Sequence, residues 1–573
     1  MLPKKPFIAT LLVLGLLLGA CQPAAQPPAE SPATVQAPAT ESAEVPADEA
    51  EVPIEESPAE EEGPPIGGVV RRALTSEPAS LDPHGVPSSG QNVLMPYLFD
   101  TLIFRDRDNN IHPYLAERWE LSEEGKVITF YLKEGVTFTD GTPLDADAVV
   151  FTFERFREVG LQSPFYGSLS TIESVEAVDA LIVRMALIEP SSTIYSVLSS
   201  PYFGIISPTA AKALGDDFGL NPVGSGAFIL ENWEPGISLT LVRNNNFSWA
   251  PPVFENQGAP YLEALEFPVI PDASAQMAAM ETGEIDLIFV NEPETISALE
   301  ENSDVTVHDV ILNSLVYLGF NFQKSPMDEL EVRKAIGMAI NKIEILENAL
   351  GGVGEIAFSP LAPSLPGFDP NLKDLELSHD LEAAKATLMD AGFVQAGDGI
   401  WRRGAPGDEN YAALENLMLL TSTRAPNAEI AAVIQNNLGL LGIPVEIQAL
   451  DARAAAGAAS EGAFDLMLWR YDWSDSDILY AYLSTARIGS TNRNAYSNLE
   501  LDALLEAALT EVDDETRNQL YSDAQQILMR DLPWLALYVP RDVIAVRSAI
   551  NDVLVGSMGR ILLNDAWIGE RKD

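Results

Sequence analysis

Between residues 417 and 469 the hydrophobic pattern switches repeatedly between two periods, which narrows the possible folds more than any other stretch of the chain. Leu417-Met418-Leu419-Leu420 is a short continuous apolar run, the pattern of a strand covered on both faces. Ile430, Val433, Ile434, Leu438 and Leu441 keep helical spacing until Gly442, Ile443 and Pro444 stop it. Val445 to Ala449 alternates as a strand, an Ala-rich stretch follows, and Phe464 to Trp469 is a third strand. Such a β-α-β-α-β string builds a parallel sheet covered by helices, with ligands at the carboxyl ends of the strands. A matching unit lies earlier, with strand Leu262 to Ile270, helix Ala273 to Glu281 stopped by Gly283, and strand Ile285 to Val290. Two such units predict an α/β fold of two lobes with a cleft between them.

Elsewhere the body is also mixed. Val127 to Leu132 is β-branched and aromatic and reads as a strand. A turn at Asp140-Gly141 is followed by Thr142-Pro143-Leu144-Asp145, which predicts a capped helix through Val149, Val150 and Phe153.

Charge and composition remove several function classes. Eighty-five acids against 34 bases give the 573 residues a net charge of -51, opposite to what a nonspecific grip on nucleic acid needs. One cysteine and four scattered histidines leave no disulfide framework, no multi-Cys metal site and no His-rich cage. The nucleophile elbow, the phosphate loop, the HExxH zinc motif and an intact GxGxxG are all missing from the sequence. No cofactor is therefore expected, while a carboxylate pair meeting in a cleft, as a secreted hydrolase would use, is left open by spacing alone.

The N-terminus accounts for the cysteine. Lys4 and Lys5 precede a twelve-residue apolar run, Phe7 to Leu18, and then Leu18-Gly19-Ala20-Cys21. The run is too short for a final membrane span and has the shape of an export signal. Leu-Gly-Ala-Cys resembles a bacterial lipobox, so residues 1–21 are expected to be a lipoprotein signal with Cys21 lipidated. Residues 22–66 hold ten prolines and eleven acids without a Lys or Arg, a composition expected to stay disordered as a tether.

Two acidic groups attract attention. Asp106-Arg107-Asp108-Asn109-Asn110 with Glu117 has the oxygen spacing of a calcium loop, but Ile111 stands where the turn glycine belongs, and a polar hairpin turn is the expectation. Asp472, Asp475 and Asp477 suit either a solvated loop or a cation or amine site. Trp469, Tyr471, Trp473, Tyr480 and Tyr482 suit either a core or a stacking surface.

A series of ordered segments resembles family 5 of the extracellular solute-binding proteins, the oligopeptide, dipeptide and nickel-type receptors of ABC importers. The segments are Tyr97-Leu98-Phe99-Asp100-Thr101-Leu102, Pro113 to Trp119, Phe130 to Val136, and Asn221-Pro222-Val223-Gly224-Ser225-Gly226-Ala227-Phe228. Gly319-Phe320-Asn321, Val332-Arg333-Lys334-Ala335, Phe464-Asp465-Leu466 and Asp531 to Leu535 continue the series. The resemblance implies a periplasmic-binding-protein-like clamp, a large type II binding protein with an extra subdomain in its first lobe. Lobe I is expected from 68–314 and 538–573, with the subdomain at about 107–210, and lobe II from 315–537. Crossings are expected near Leu315 to Asn321 and Leu535 to Pro540.

The same resemblance implies a monomeric receptor on the outer side of the cell membrane, held by its lipid. It would capture a peptide or other small solute between the lobes, do no chemistry on it, and hand it to membrane permease subunits driven by cytoplasmic ATPases. An oligosaccharide is the alternative cargo, and a secreted hydrolase is the far remoter reading. It places an amine-pairing aspartate at Asp472, with Asp475 left open, beside Trp469, Tyr471 and Trp473. Ser88 and Ser89 sit in a loop that either contacts the ligand backbone or is a plain surface loop, and Phe165 with Tyr166 supplies an aromatic wall. Arg333 and Trp534 are expected to serve packing, and Trp401 is a further stacking candidate for sugars.

Overall fold

The computed structural model describes residues 63–569, apart from 87, 164, 291–292 and 557–559. The expected signal, the lipidated Cys21 and most of the tether, through residue 62, lie outside the described residues, as does Pro164.

The parallel string is present as its periods require. Strands Leu417–Ser422, Val445–Leu450 and Leu466–Asp472 are joined by helices Asn427–Leu441 and Ala452–Ser460. The first strand pairs in parallel with both of the others. Gly442 ends the longer helix at φ 91°, a left-handed conformation that carries no side-chain penalty in glycine. Strands Ser314–Phe320 and Trp534–Val539 extend this sheet in antiparallel fashion. Their residues are buried throughout, the pattern of strands covered on both faces.

The earlier unit departs from expectation. Ala264–Pro268 and Leu287–Val290 flank helix Ala273–Thr282 but belong to different sheets. Val69–Arg71 pairs in parallel with Ala264–Glu266, and the next residue, Arg72, bridges in parallel to Leu287. A strand from the far N-terminal end therefore stands between the two, and sequence proximity alone gave no sign of it. The predicted helix begins at Ala146 rather than near Thr142. Asp145 is its cap, its carboxylate accepting from the Ala148 amide at 3.0 Å, while Pro143 bridges back to Thr137.

Residues 116–187 carry their own four-stranded antiparallel sheet, Ala116–Leu121, Val127–Leu132, Ile182–Leu187 and Ile172–Asp179 in spatial order. It projects from the first lobe and shares that lobe's hydrophobic core. The lobes connect twice. Strand Val305–Ile311 pairs with Arg541–Arg547 on the first-lobe side, and the partners of both continue into the second-lobe sheet. The crossings are at Leu312-Asn313 and at Pro540, where the Leu312 amide donates to the Pro540 carbonyl at 3.1 Å. The first crossing falls ahead of the expected 315–321, because those residues lie in the strand Ser314–Phe320 and its immediate end. Among the described residues no helix is long and apolar enough to cross a membrane.

Candidate functional site

The cleft between the lobes holds a cavity of about 830 Å³, within the roughly 300–1,000 Å³ usual for ligand sites. Its first-lobe wall includes Arg105, Arg107, Asp108, Asn109, Trp119 and Tyr195, and its second-lobe wall includes Asn313, Ser364, Asp475, Asp514, Arg517 and Asn518. Val310 and Ile311 at the crossing form part of its lining.

The first-lobe wall is built on a hairpin. Ile103–Arg105 pairs with Ile111–Pro113, and Asn109 takes φ 67° to close the turn, a conformation asparagine tolerates better than most residues. The Asp106 carboxylate accepts from the Asn110 amide at 2.8 Å and pairs with His112 at 2.7 Å. These internal bonds make the segment a polar hairpin turn in which the Asp106 carboxylate is committed locally. Among the described residues no cluster suits a metal ion.

From this hairpin the first lobe reaches the second. Arg105 Nη1 donates to the Ser474 carbonyl at 2.7 Å and to Ser196 Oγ at 2.9 Å, and Ser196 donates to Asp475 Oδ2 at 3.1 Å. Asn109 Nδ2 donates to the Ser364 carbonyl at 2.6 Å. Ser192 donates its amide to the Leu509 carbonyl and its hydroxyl to the Ala508 carbonyl, both at 2.9 Å. The lobes are closed on one another.

The two aspartates left open by the sequence separate clearly. Asp472 ends its strand with a carboxylate 46% exposed, paired to neighbouring Arg470, and it is not among the residues lining the cavity. Asp475 lines the cavity, is 4% exposed, and pairs with buried Arg517. Next to it, burial and the Asp475 charge raise the Asp477 carboxyl to about 7, and Trp473 Nε1 donates to it at 2.6 Å.

The remaining candidates do not gather around the cavity. Tyr471 is 1% exposed, and its hydroxyl donates to the Pro360 carbonyl and accepts from the Ala362 amide, 3.0 Å each, so it is a core residue rather than a stacking surface. Trp401 is likewise buried, donating to the Leu441 carbonyl. Trp469 and Trp473 are partly buried against the second-lobe core, with the Arg493 guanidinium 4.8 Å above the Trp469 ring. Ser88 caps helix Ser89–Leu98 by accepting from the Gln91 amide, and Ser89 Oγ bonds Ser76 Oγ at 2.6 Å. Phe165 stacks on Tyr202 at 4.0 Å, and Tyr166 is partly buried against the first-lobe core. Arg333 donates to the carbonyls of Met327, Asp531 and Leu532, and Trp534 stacks on Tyr317, both in packing roles. Sequence inspection missed Arg105, Asn109, Tyr195 and Arg517. The one available signal was a charged hairpin tip between apolar strands; Arg517 lies on a helix of ordinary polar pattern.

The Gly224-Ser225-Gly226 turn packs closely on the end of helix Ser89–Leu98. A Cβ on Gly226 would lie 2.3 Å from the Tyr97 carbonyl, and one on Gly224 2.1 Å from that of Leu98. Ser225 and Trp249 donate to the buried Asp100 carboxylate, which also pairs with Tyr114.

Two α/β lobes linked by two crossings, closed over a polar cavity, define a clamp of the periplasmic binding-protein type. The chain belongs to the bacterial extracellular solute-binding proteins of family 5, whose middle-region model matches residues 110–490. It is 26% identical over 477 residues to heme-binding protein A of Haemophilus influenzae, covering 78% of this chain and 83% of that protein. It is 27% identical over 454 residues to a probable D,D-dipeptide-binding periplasmic protein of Escherichia coli K12, covering 78% and 82%. An ABC transporter-associated periplasmic binding protein of Helicobacter pylori, solved in complex with the peptide STSA, superimposes with a TM-score of 0.69 at 26% identity, covering 88% of this chain and 99% of the other.

Proposed function

We propose that this chain is the lipid-anchored receptor of an ABC importer, capturing a peptide between its lobes outside the cytoplasm and delivering it to membrane permease subunits that cytoplasmic ATPases drive. It binds its solute without transforming it and acts as a monomer tethered through Cys21. The observation that carries the peptide reading is the cavity wall, where guanidinium groups (Arg105, Arg107, Arg517), carboxylates (Asp108, Asp475, Asp514) and side-chain amides (Asn109, Asn313, Asn518) face one volume. A zwitterionic, amide-rich solute uses all three kinds of group, whereas a flat apolar ring system requires a broad apolar face. The relatives named for D,D-dipeptide binding and solved with a peptide are in accord. Asp475, Asp514 and Asp108 are better placed than Asp472 to face a peptide amine. For the remaining candidates, Trp469 and Trp473 would shape the second-lobe rim, and Ser88, Ser89, Phe165 and Tyr166 the first-lobe surface.

Trp119 and Tyr195, with ring centroids 6.0 Å apart in the cavity wall, favour an oligosaccharide as the second reading. Mass spectrometry of small molecules released by denaturing natively purified protein decides between them. Peptides are expected; glycans would establish the second reading. N-acetylation of a bound peptide should weaken binding, and Asp472→Ala should leave it unchanged by isothermal titration calorimetry.

A further inference from the structure

Beside the main cavity, in the first lobe, lies a smaller one of about 50 Å³, well above the roughly 10–15 Å³ that one water occupies. Arg105 and Gly556 line both, so the two cavities adjoin. Its wall mixes rings and aliphatic groups, Phe99, Phe104, Phe254 and Leu562 among them, with neutral polar residues such as Ser199 and Asn564, and Arg560 also lines it. Among the described residues no carboxylate pairs with Arg560, and the charged side chain that acts on it is another cation, Arg105. Close by, Tyr202 is 7% exposed and its hydroxyl has no hydrogen-bond partner; Tyr202 and Arg560 are near enough to influence each other's ionisation. Arg105 spends Nη1 on the Ser474 carbonyl and Ser196, and among the described residues its other nitrogens make no hydrogen bond.

A guanidinium set among aromatic rings without a counter-charge is costly unless an anion arrives from outside. A fork of donors matches a carboxylate well. We propose that Arg560, assisted by Arg105 and the Tyr202 hydroxyl, forms an anion subsite that takes a carboxylate of the solute, so that the receptor prefers acidic cargo. The nature of the solute rests on the peptide reading of the main cavity; the subsite itself rests on the arginines. It also gives Phe165 a role, since its ring covers Tyr202 at 4.0 Å.

Two probes test it. Calorimetry on the mature protein with Ala-Ala-Glu, Ala-Ala-Gln and their C-terminal amides should show a preference for a free carboxylate, and whether terminal or side-chain amidation abolishes that preference identifies its source. Arg560→Gln should lower affinity for the preferred peptide about ten- to a hundredfold, with Arg560→Lys partly restoring it. Independently, trifluoroacetate followed by fluorine NMR should broaden saturably with the wild-type protein and much less with Arg560→Gln. Equal affinity for acid and amide forms, with equal trifluoroacetate broadening in wild type and Arg560→Gln, would overturn the subsite. If no peptide binds while trifluoroacetate broadening depends on Arg560, the peptide reading fails and the subsite stands.

Discussion

Asp475 and Arg517 form an ion pair in the cleft wall with side chains only 6% and 7% exposed. Burial works against the Arg517 charge, but Asp475 and Tyr521 together hold its ionisation above the ordinary arginine value. Removing one partner strands the other charge in a poorly solvated wall. Arg517→Met should therefore destabilise the protein by about 3–5 kcal/mol, and adding Asp475→Asn should recover most of that. Urea unfolding of the two variants and the double variant checks the coupling. An additive result would show that the pair contributes nothing as a pair.

At the scale of elements, the segment leading into helix Ser89–Leu98 is held by one polar cluster. Arg155 donates to Asp82 Oδ1 at 3.0 Å and reaches His84 Nδ1 at 2.8 Å, and the His84 ring stacks on Phe156 at 4.5 Å. Burial lowers the His84 imidazole to about 3, although the Asp82 charge opposes this. A histidine held neutral in the fold contributes stability fully above its ordinary value of 6.5 and loses it as pH falls towards 3, by about 1.4 kcal/mol for each pH unit. His84→Gln should flatten the stability profile between pH 6.5 and 3, measured by thermal and urea unfolding across that range. An unchanged slope would mean that His84 is protonated without cost. The histidine was visible in the sequence, but nothing around it in the chain disclosed Arg155, which comes from a helix 71 residues later.

At the scale of the whole molecule, closure rests on a few polar contacts. Asn109 to Ser364, Arg105 to Ser474 and Ser192 to residues 508 and 509 join lobes whose cores are otherwise separate clusters. Such partly buried hydrogen bonds each contribute only about 0.5–1.5 kcal/mol net, so the closed state is open to adjustment by a few of them. Asn109→Ala combined with Ser192→Ala should enlarge the radius of gyration in small-angle scattering of the unliganded protein while leaving the melting temperature nearly unchanged. A radius equal to that of the wild type would place the closing free energy elsewhere.

The sequence by itself determined whatever depends on short-range periodicity. The parallel β-α-β-α-β unit, the strand Val127–Leu132, the glycine stops at 283 and 442 and the hairpin at 106–110 all express neighbours within a few residues. The ordered motif series likewise carried the family and the two-lobed clamp. Only the tertiary structure decided which of those residues face the cleft. Asp472 and Asp475 are three positions apart and equally acidic, yet one is on the surface and the other is buried against an arginine from a distant helix. Tyr471 carries the right chemistry for stacking but its hydroxyl is claimed by the 360–362 backbone. Arg560 and Arg105 are 455 residues apart and meet at one small cavity. Local pattern fixes elements because helix and strand periods are set by the backbone, whereas a binding wall is assembled from separate elements whose approach depends on how whole surfaces pack.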